Sequence, residues 1–183
     1  MADDEPYLIQ QARQGNAAAC AALYDRHYDA VYRYCYYHVG ETVLAQDVAS
    51  EVFVRMVENL GTFKVRGRPL LAWLYAIARN LITDTYRRSA HATQLPLDEA
   101  LTTCEDFPIH KIERRLLADR LVAALAHLTE EQRQVILLKF VLDHSNAEVA
   151  CLMGKSEGAI KSLQHRALAA LRRVLERERH YEP

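Results

Sequence analysis

Near the C-terminus, Gly158, Lys161, Ser162, His165 and Arg166 recur at spacings of three and four. At about 100° per residue this places them on one side of a helix. Ile160, Leu163, Ala167, Leu168 and Leu171 form the opposite, apolar stripe, and Arg172 and Arg173 follow two turns on. Short donors and cations at the front of a helix, with further cations behind, suit insertion into the DNA major groove: the first read base edges and the second hold flanking phosphates. Ser156 stands where an N-cap would start this helix, and Glu157 opens its first turn.

A second set lies in the first half of the chain. Lys64, Arg66 and Arg68 crowd into a short segment without an acid, and the next stretch carries Trp73, Arg79, Asn80, Thr83, Asp84, Arg87 and Arg88. Cations for the backbone, a planar ring for stacking and an amide for one base edge are what single-stranded DNA requires. Trp73 also fits a core position equally well on periodicity. Catalytic chemistry finds no comparable support: the sequence holds no Gly-rich phosphate loop, HExxH or GxSxG. The eight histidines show no ligand-like grouping with cysteines or acids, so neither a metal nor a cofactor is expected.

Elements able to position these groups are all helical. Leu44, Val48, Val52, Phe53, Met56, Val57 and Leu60 step by about four up to Gly61. The stretch 17–39 before them is rich in tyrosine (Tyr24, Tyr28, Tyr32, Tyr34, Tyr36, Tyr37), which reads as core and helix contacts. Leu70, Leu74, Ile77, Ala78, Leu81 and Ile82 give a third stripe, with Pro69 suited to its first turn; Trp73 and Tyr75 lie near its start. Around 89–108 the periodicity fails and Thr, Asp, Glu and Pro accumulate. A helix over 112–128 follows, then two capping boxes, Thr129-Glu130-Glu131-Gln132 and Ser145-Asn146-Ala147-Glu148, and a turn at Gly154. Short helix, glycine turn, long helix is the helix-turn-helix pattern. The expected fold is all-α: two small helical domains, 1–90 and 109–183, joined by a flexible acidic linker at 91–108.

With 183 residues, half of them apolar and only 6 Gly and 5 Pro, the chain has enough material to bury two helical cores. Its net charge of -1 argues at first against a nucleic-acid partner. That total is a cancellation: residues 1–60 carry -5, 61–95 carry +5, 96–131 carry -4 and 132–183 carry +3. Both basic blocks coincide with the two candidate DNA surfaces. Four cysteines, Cys20, Cys35, Cys104 and Cys151, lack paired spacing, which points to a reducing, cytoplasmic compartment; no apolar run is long enough to insert in a membrane.

Taken together, these motifs resemble the extracytoplasmic-function class of bacterial RNA polymerase sigma factors over nearly the whole chain. Ala45-Gln46-Asp47-Val48-Ala49-Ser50-Glu51-Val52-Phe53 is similar to the polymerase-binding helix of that class. Ala72-Trp73-Leu74-Tyr75-Ala76-Ile77-Ala78-Arg79-Asn80 is similar to the helix that melts and reads the promoter -10 element, and 128–167 resembles the domain that reads the -35 element. The resemblance implies a promoter-specificity subunit, not an enzyme, whose partners are core RNA polymerase, promoter DNA and an anti-sigma factor, and which is a monomer when free. It assigns Asp47, Ser50, Glu51, Phe53 and Val54 to the polymerase. Ala72, Ala76 and the pair Leu163-Gln164 depart from commoner residues of the class; the last removes a cation near the groove, so no -35 sequence is inferred. Two other readings fit parts of the pattern: a dimeric transcription regulator with the same helix-turn-helix, and a helical adaptor that binds only proteins.

Overall fold

A computed structural model describes residues 4–64, 68–92 and 109–179. Eight α-helices occupy the described residues: α1 Glu5–Arg13, α2 Ala17–Val39, α3 Thr42–Asn59, α4 Leu70–Ala92, α5 Ile109–Ala126, α6 Glu130–Ile136, α7 Asn146–Met153 and α8 Glu157–Arg179. Helix α4 continues through Ala92, so 91–92, expected to begin the linker, are helical; the rest of that span, 93–108, lies outside the described residues. Arg66 and Cys104 lie outside them too. Helix α5 starts at Ile109, earlier than the expected 112.

Helix α2 is the central pillar of the first half, touching α1, α3 and α4. Asn16 caps its start by accepting from the Ala19 N–H at 3.2 Å, and Gly40, at φ 77°, ends it in the left-handed region. On its inner face Leu23, Val31, Tyr34 and Cys35 are fully buried, against Val48, Val52 and Met56 of α3 and Leu74, Ala78 and Ile82 of α4. The tyrosines divide: Tyr34 stacks on Tyr75 in the core with ring centroids 4.5 Å apart, whereas the exposed Tyr24 and the half-buried Tyr28, Tyr32 and Tyr36 run in a file along the helix. Burial pushes both core phenols well above their ordinary pKa and lifts the Cys35 thiol to about 12, so Cys35 is a packing residue.

Helix α1 is tied down by Glu5, whose carboxylate sits 2.9 Å from Nε2 of His27 on α2. Leu60 to Thr62 form one 3-10 turn after α3. Arg13 donates to the Leu60 carbonyl at 3.0 Å and to that of Phe63, which fixes this turn against α1.

In the second half, both expected capping boxes are formed: Thr129 with Gln132 and Ser145 with Glu148 each satisfy two backbone donors reciprocally. Between α6 and α7, Leu137–Val141 make a π-helical turn that periodicity does not reveal. Leu125, Val135, Leu137, Leu138, Val149, Ile160, Leu163 and Ala167 form the core there. Gly154 ends α7 at φ 64° and Ser156 starts α8 by accepting from the Ala159 N–H at 3.2 Å. Two apolar assignments need correction. Val57 and Leu168 are 55% and 44% exposed, at the edges of stripes narrower than the pattern suggests, and Tyr75 belongs to the core at 2%.

Replacing Leu74 by Ala removes a fully buried side chain and should cost about 2–5 kcal/mol in urea unfolding, whereas Val57→Ala should stay within roughly 0.5 kcal/mol. The His27 imidazole beside Glu5 holds its carboxyl below the ordinary value, despite burial acting the other way. The resulting stabilisation is present above the ordinary carboxylate range and is lost as the pH falls through the depressed value. Thermal melts of Glu5→Gln across acid pH should accordingly fall less steeply than those of the wild type.

Candidate nucleic-acid and polymerase interfaces

Helix α8 presents Ser156, Glu157, Gly158, Lys161, Ser162, His165 and Arg166 all exposed, opposite the buried Ile160, Leu163 and Ala167. Their common face follows from the buried stripe: once every third or fourth residue is fixed inward, the intervening ones must turn to solvent. Arg166 is braced by a 3.4 Å bond to the Ser162 carbonyl, and Arg172 pairs with Glu176 at 2.8 Å one turn beyond the core. Lys155, just before the helix, is held by Glu131 at 2.8 Å. The turn at Gly154 connects α7 to α8 in a helix-turn-helix.

On the first half, α4 exposes Asn80, Thr83, Asp84, Arg87 and Arg88 on one side, with Arg79 half-buried. Lys64 and Arg68 flank the basic segment and are exposed. Trp73 is half-buried, with its ring stacked on Phe63 at 4.9 Å. Trp73, Asn80 and Asp84 share a depression of about 430 Å³ with Arg55, Asn59 and Thr62. Those last three come from α3 and the turn after it. They were missed in the sequence because only the packing of α3 on α4 brings them there. Thr83 stands outside this depression, its hydroxyl donating to the Arg79 carbonyl at 2.8 Å. Arg87 lies 3.9 Å from Asp84.

Of the residues assigned to polymerase contact, Asp47, Ser50 and Val54 are exposed and Glu51 is partly so, bound to Arg55 at 2.7 Å. Phe53 differs: it is 5% exposed and lies beneath Tyr24, ring centroids 4.7 Å apart. Asp47, Glu51 and Arg88 line a second groove, about 590 Å³, between α3 and α4. Among the described residues there is no cluster of His, Cys, Asp or Glu able to hold a metal ion, and no helix long and apolar enough to cross a membrane.

Two family models match these two halves: Sigma-70 region 2 over residues 23–92 and Sigma-70, region 4 over residues 118–171. The chain belongs to the ECF RNA polymerase sigma factors. It is 34% identical over 173 residues to the ECF sigma factor SigL of Mycobacterium tuberculosis, covering 92% of this chain and 95% of SigL. To BldN of Streptomyces coelicolor it is 40% identical over 170 residues, covering 92% of this chain but only 64% of BldN. Among solved structures it resembles CnrH in complex with the cytosolic domain of CnrY, at 27% identity and a TM-score of 0.68, covering 93% and 96% of the two chains. In fold alone it also resembles RpoE of Bartonella quintana, at 20% identity, a TM-score of 0.58 and coverage of 85% and 96%. For this sigma factor, the exposed face of α8 is the helix-turn-helix surface of region 4, and the α3–α4 pair forms the body of region 2.

Trp73 is the single tryptophan, so emission excited selectively at the indole, to the red of tyrosine absorption, reports its surroundings. Arg13→Ala releases the turn that carries Phe63 and should shift that emission to the red, with little change in far-ultraviolet dichroism.

Proposed function

We propose that this ECF sigma factor binds core RNA polymerase and directs initiation by reading duplex -35 DNA through α8 and capturing an unpaired -10 strand on α4. The observation that carries this is the shared depression at Trp73, Asn80 and Asp84, beside the stacked Phe63. A base turned out of the stack needs a planar wall and an amide, and stacking contributes roughly 1–3 kcal/mol per base, which offsets part of the opening of the duplex. Lys64, Arg66, Arg68, Arg87 and Arg88 act on phosphates in this reading, and Arg55, Asn59 and Thr62 join the base-facing set. Asp47, Ser50, Glu51 and Val54 dock on polymerase. Phe53 works from beneath, by holding Tyr24 and the course of α3. Residues 1–90 and 109–183 act as separate domains on the promoter, joined by 91–108. The free protein is a cytoplasmic monomer restrained by an anti-sigma factor, a reading supported by CnrH having been solved with a bound partner domain.

Run-off transcription with purified core polymerase on promoters enriched from genomic DNA tests this directly: the sigma factor should stimulate specific starts, and none on any template would overturn it. Lys161→Ala or Arg166→Ala should weaken -35 binding with polymerase affinity intact, and Glu51→Ala should do the reverse. Each lost phosphate contact should also lower the slope of log affinity against log salt by about 0.9.

A further inference from the structure

The groove at Asp47 and Glu51 and the depression at Trp73 and Asn80 follow one another along the seam between α3 and α4, and two side chains line both: Arg55 and Leu81. Leu81 is apolar and half-buried, whereas Arg55 brings a charge. Its guanidinium stands at the divide between the surface assigned to polymerase and the surface assigned to the unpaired strand.

In the free protein that charge is held to one side. Nε of Arg55 donates to a Glu51 carboxylate oxygen at 2.7 Å, one turn back on α3. Both side chains are open to solvent, at 52% and 42% exposure. The bond to Glu51 does most to raise the guanidinium's pKa, and the charges of Glu58 and Asp84 add to it. Asp84 belongs to the depression, and Arg88, one turn on along α4, to the groove. Acids on both flanks attract Arg55, and the bonded one keeps it.

That hold is weak. An exposed pair one turn apart on a helix contributes little, because water screens it and two long side chains must be ordered. A phosphate accepts two parallel N–H bonds from the guanidinium fork, whereas Glu51 takes one here, through Nε. A strand phosphate at the rim of the depression is the better partner, with Glu51 as its competitor. Only the side chain has to move, since the backbone of Arg55 is fixed within α3, its carbonyl accepting from the Asn59 side chain at 3.0 Å.

We infer that Arg55 binds a phosphate of the unpaired strand and that Glu51 withholds it in the free protein until polymerase engages the Glu51 carboxylate. This rests on the reading of Glu51 as a polymerase contact and of α4 as the strand-capturing helix. A partner complementary to an acidic face brings cations, and a cation on Glu51 replaces Arg55 there. Arg55 then turns across the divide and strand affinity rises. By linkage, a bound strand that draws Arg55 away leaves Glu51 free for polymerase, so each ligand favours the other to the same extent.

Fluorescence anisotropy of a fluorescein-labelled 15-nucleotide single strand of mixed sequence, at low salt, tests this on the full-length sigma factor. Glu51→Gln should bind the strand about three-fold more tightly than the wild type, the scale of one exposed ion pair. Asp47→Asn removes an acid from the same groove, two turns back from Arg55, and should give a smaller gain. Glu51→Gln should also steepen the dependence of log affinity on log salt by about 0.7, the increment for one more phosphate of a single strand. In an Arg55→Gln background the Glu51→Gln gain should vanish, and an Arg55→Lys background should restore part of it. Arg55→Gln should bind core polymerase no more weakly than the wild type, because it leaves Glu51 unpaired. Equal gains from Glu51→Gln and Asp47→Asn, or a gain that survives Arg55→Gln, would overturn the inference, since any loss of negative charge would then suffice. If no variant binds the strand, with or without core polymerase, the assignment of α4 to DNA fails. If the strand binds and Arg55→Gln changes nothing, the role of Arg55 alone fails.

Discussion

The buried crossing of α2 and α4, sealed by Tyr34 stacked on Tyr75, supports almost everything else in the first half. Two large rings in contact bury apolar area and prefer an offset geometry, so they set both the distance and the rotation of the two helices. With α4 fixed in rotation, Trp73 meets Phe63 on one side while Asn80 and Asp84 face outward. Because α3 packs on both α2 and α4, Asn59 and Arg55 come to rest beside them. On the same crossing, one turn along α2 from Tyr34, sits His38, so the shape of the depression at Trp73 and Asn80 and the contact with the second half share one foundation.

What could be read without coordinates follows from the range over which each feature acts. Capping boxes at Thr129 and Ser145, the turn at Gly154 and the face of α8 are decided within four residues, and all are found where the pattern puts them. Depth is harder. Val57 and Leu168 have the right spacing for a core but lie just outside the arc that a neighbouring helix covers, and Tyr75, whose depth the spacing leaves open, is core because α2 lies over it. Asn59 and Thr62 carry no local signal, since their place beside Trp73 and Asn80 depends on α3 meeting α4. The pairing of His38 with Glu130 is equally silent, because it depends on how distant parts of the chain, α2 and α6, meet.

Charge organises the molecule at a longer range. A near-neutral chain assembled from alternating acidic and basic blocks attracts nucleic acid only over parts of its surface, and each basic block has an acidic neighbour able to compete for it. Glu130 beside Arg79 and Glu131 on Lys155 show this competition at the level of single side chains. Weak intrinsic attraction for DNA is an advantage for a subunit that reads promoters only as part of a larger assembly, since non-specific sites far outnumber specific ones.

Helix α8 outlasts its own core. Its first half is pinned by Ile160, Leu163 and Ala167, but past Leu171 burial thins to a half-buried Val174, Arg172 pairs with Glu176 at the surface, and Leu175 is left 41% exposed. At about 1.5 Å per residue, the stretch from Arg166 to Arg179 carries the chain roughly 20 Å along the helix axis from the exposed face at Lys161 to Arg166. A fluorescent protein or affinity handle appended behind that helix would be spaced from that face by the protein's own rod, without an engineered linker.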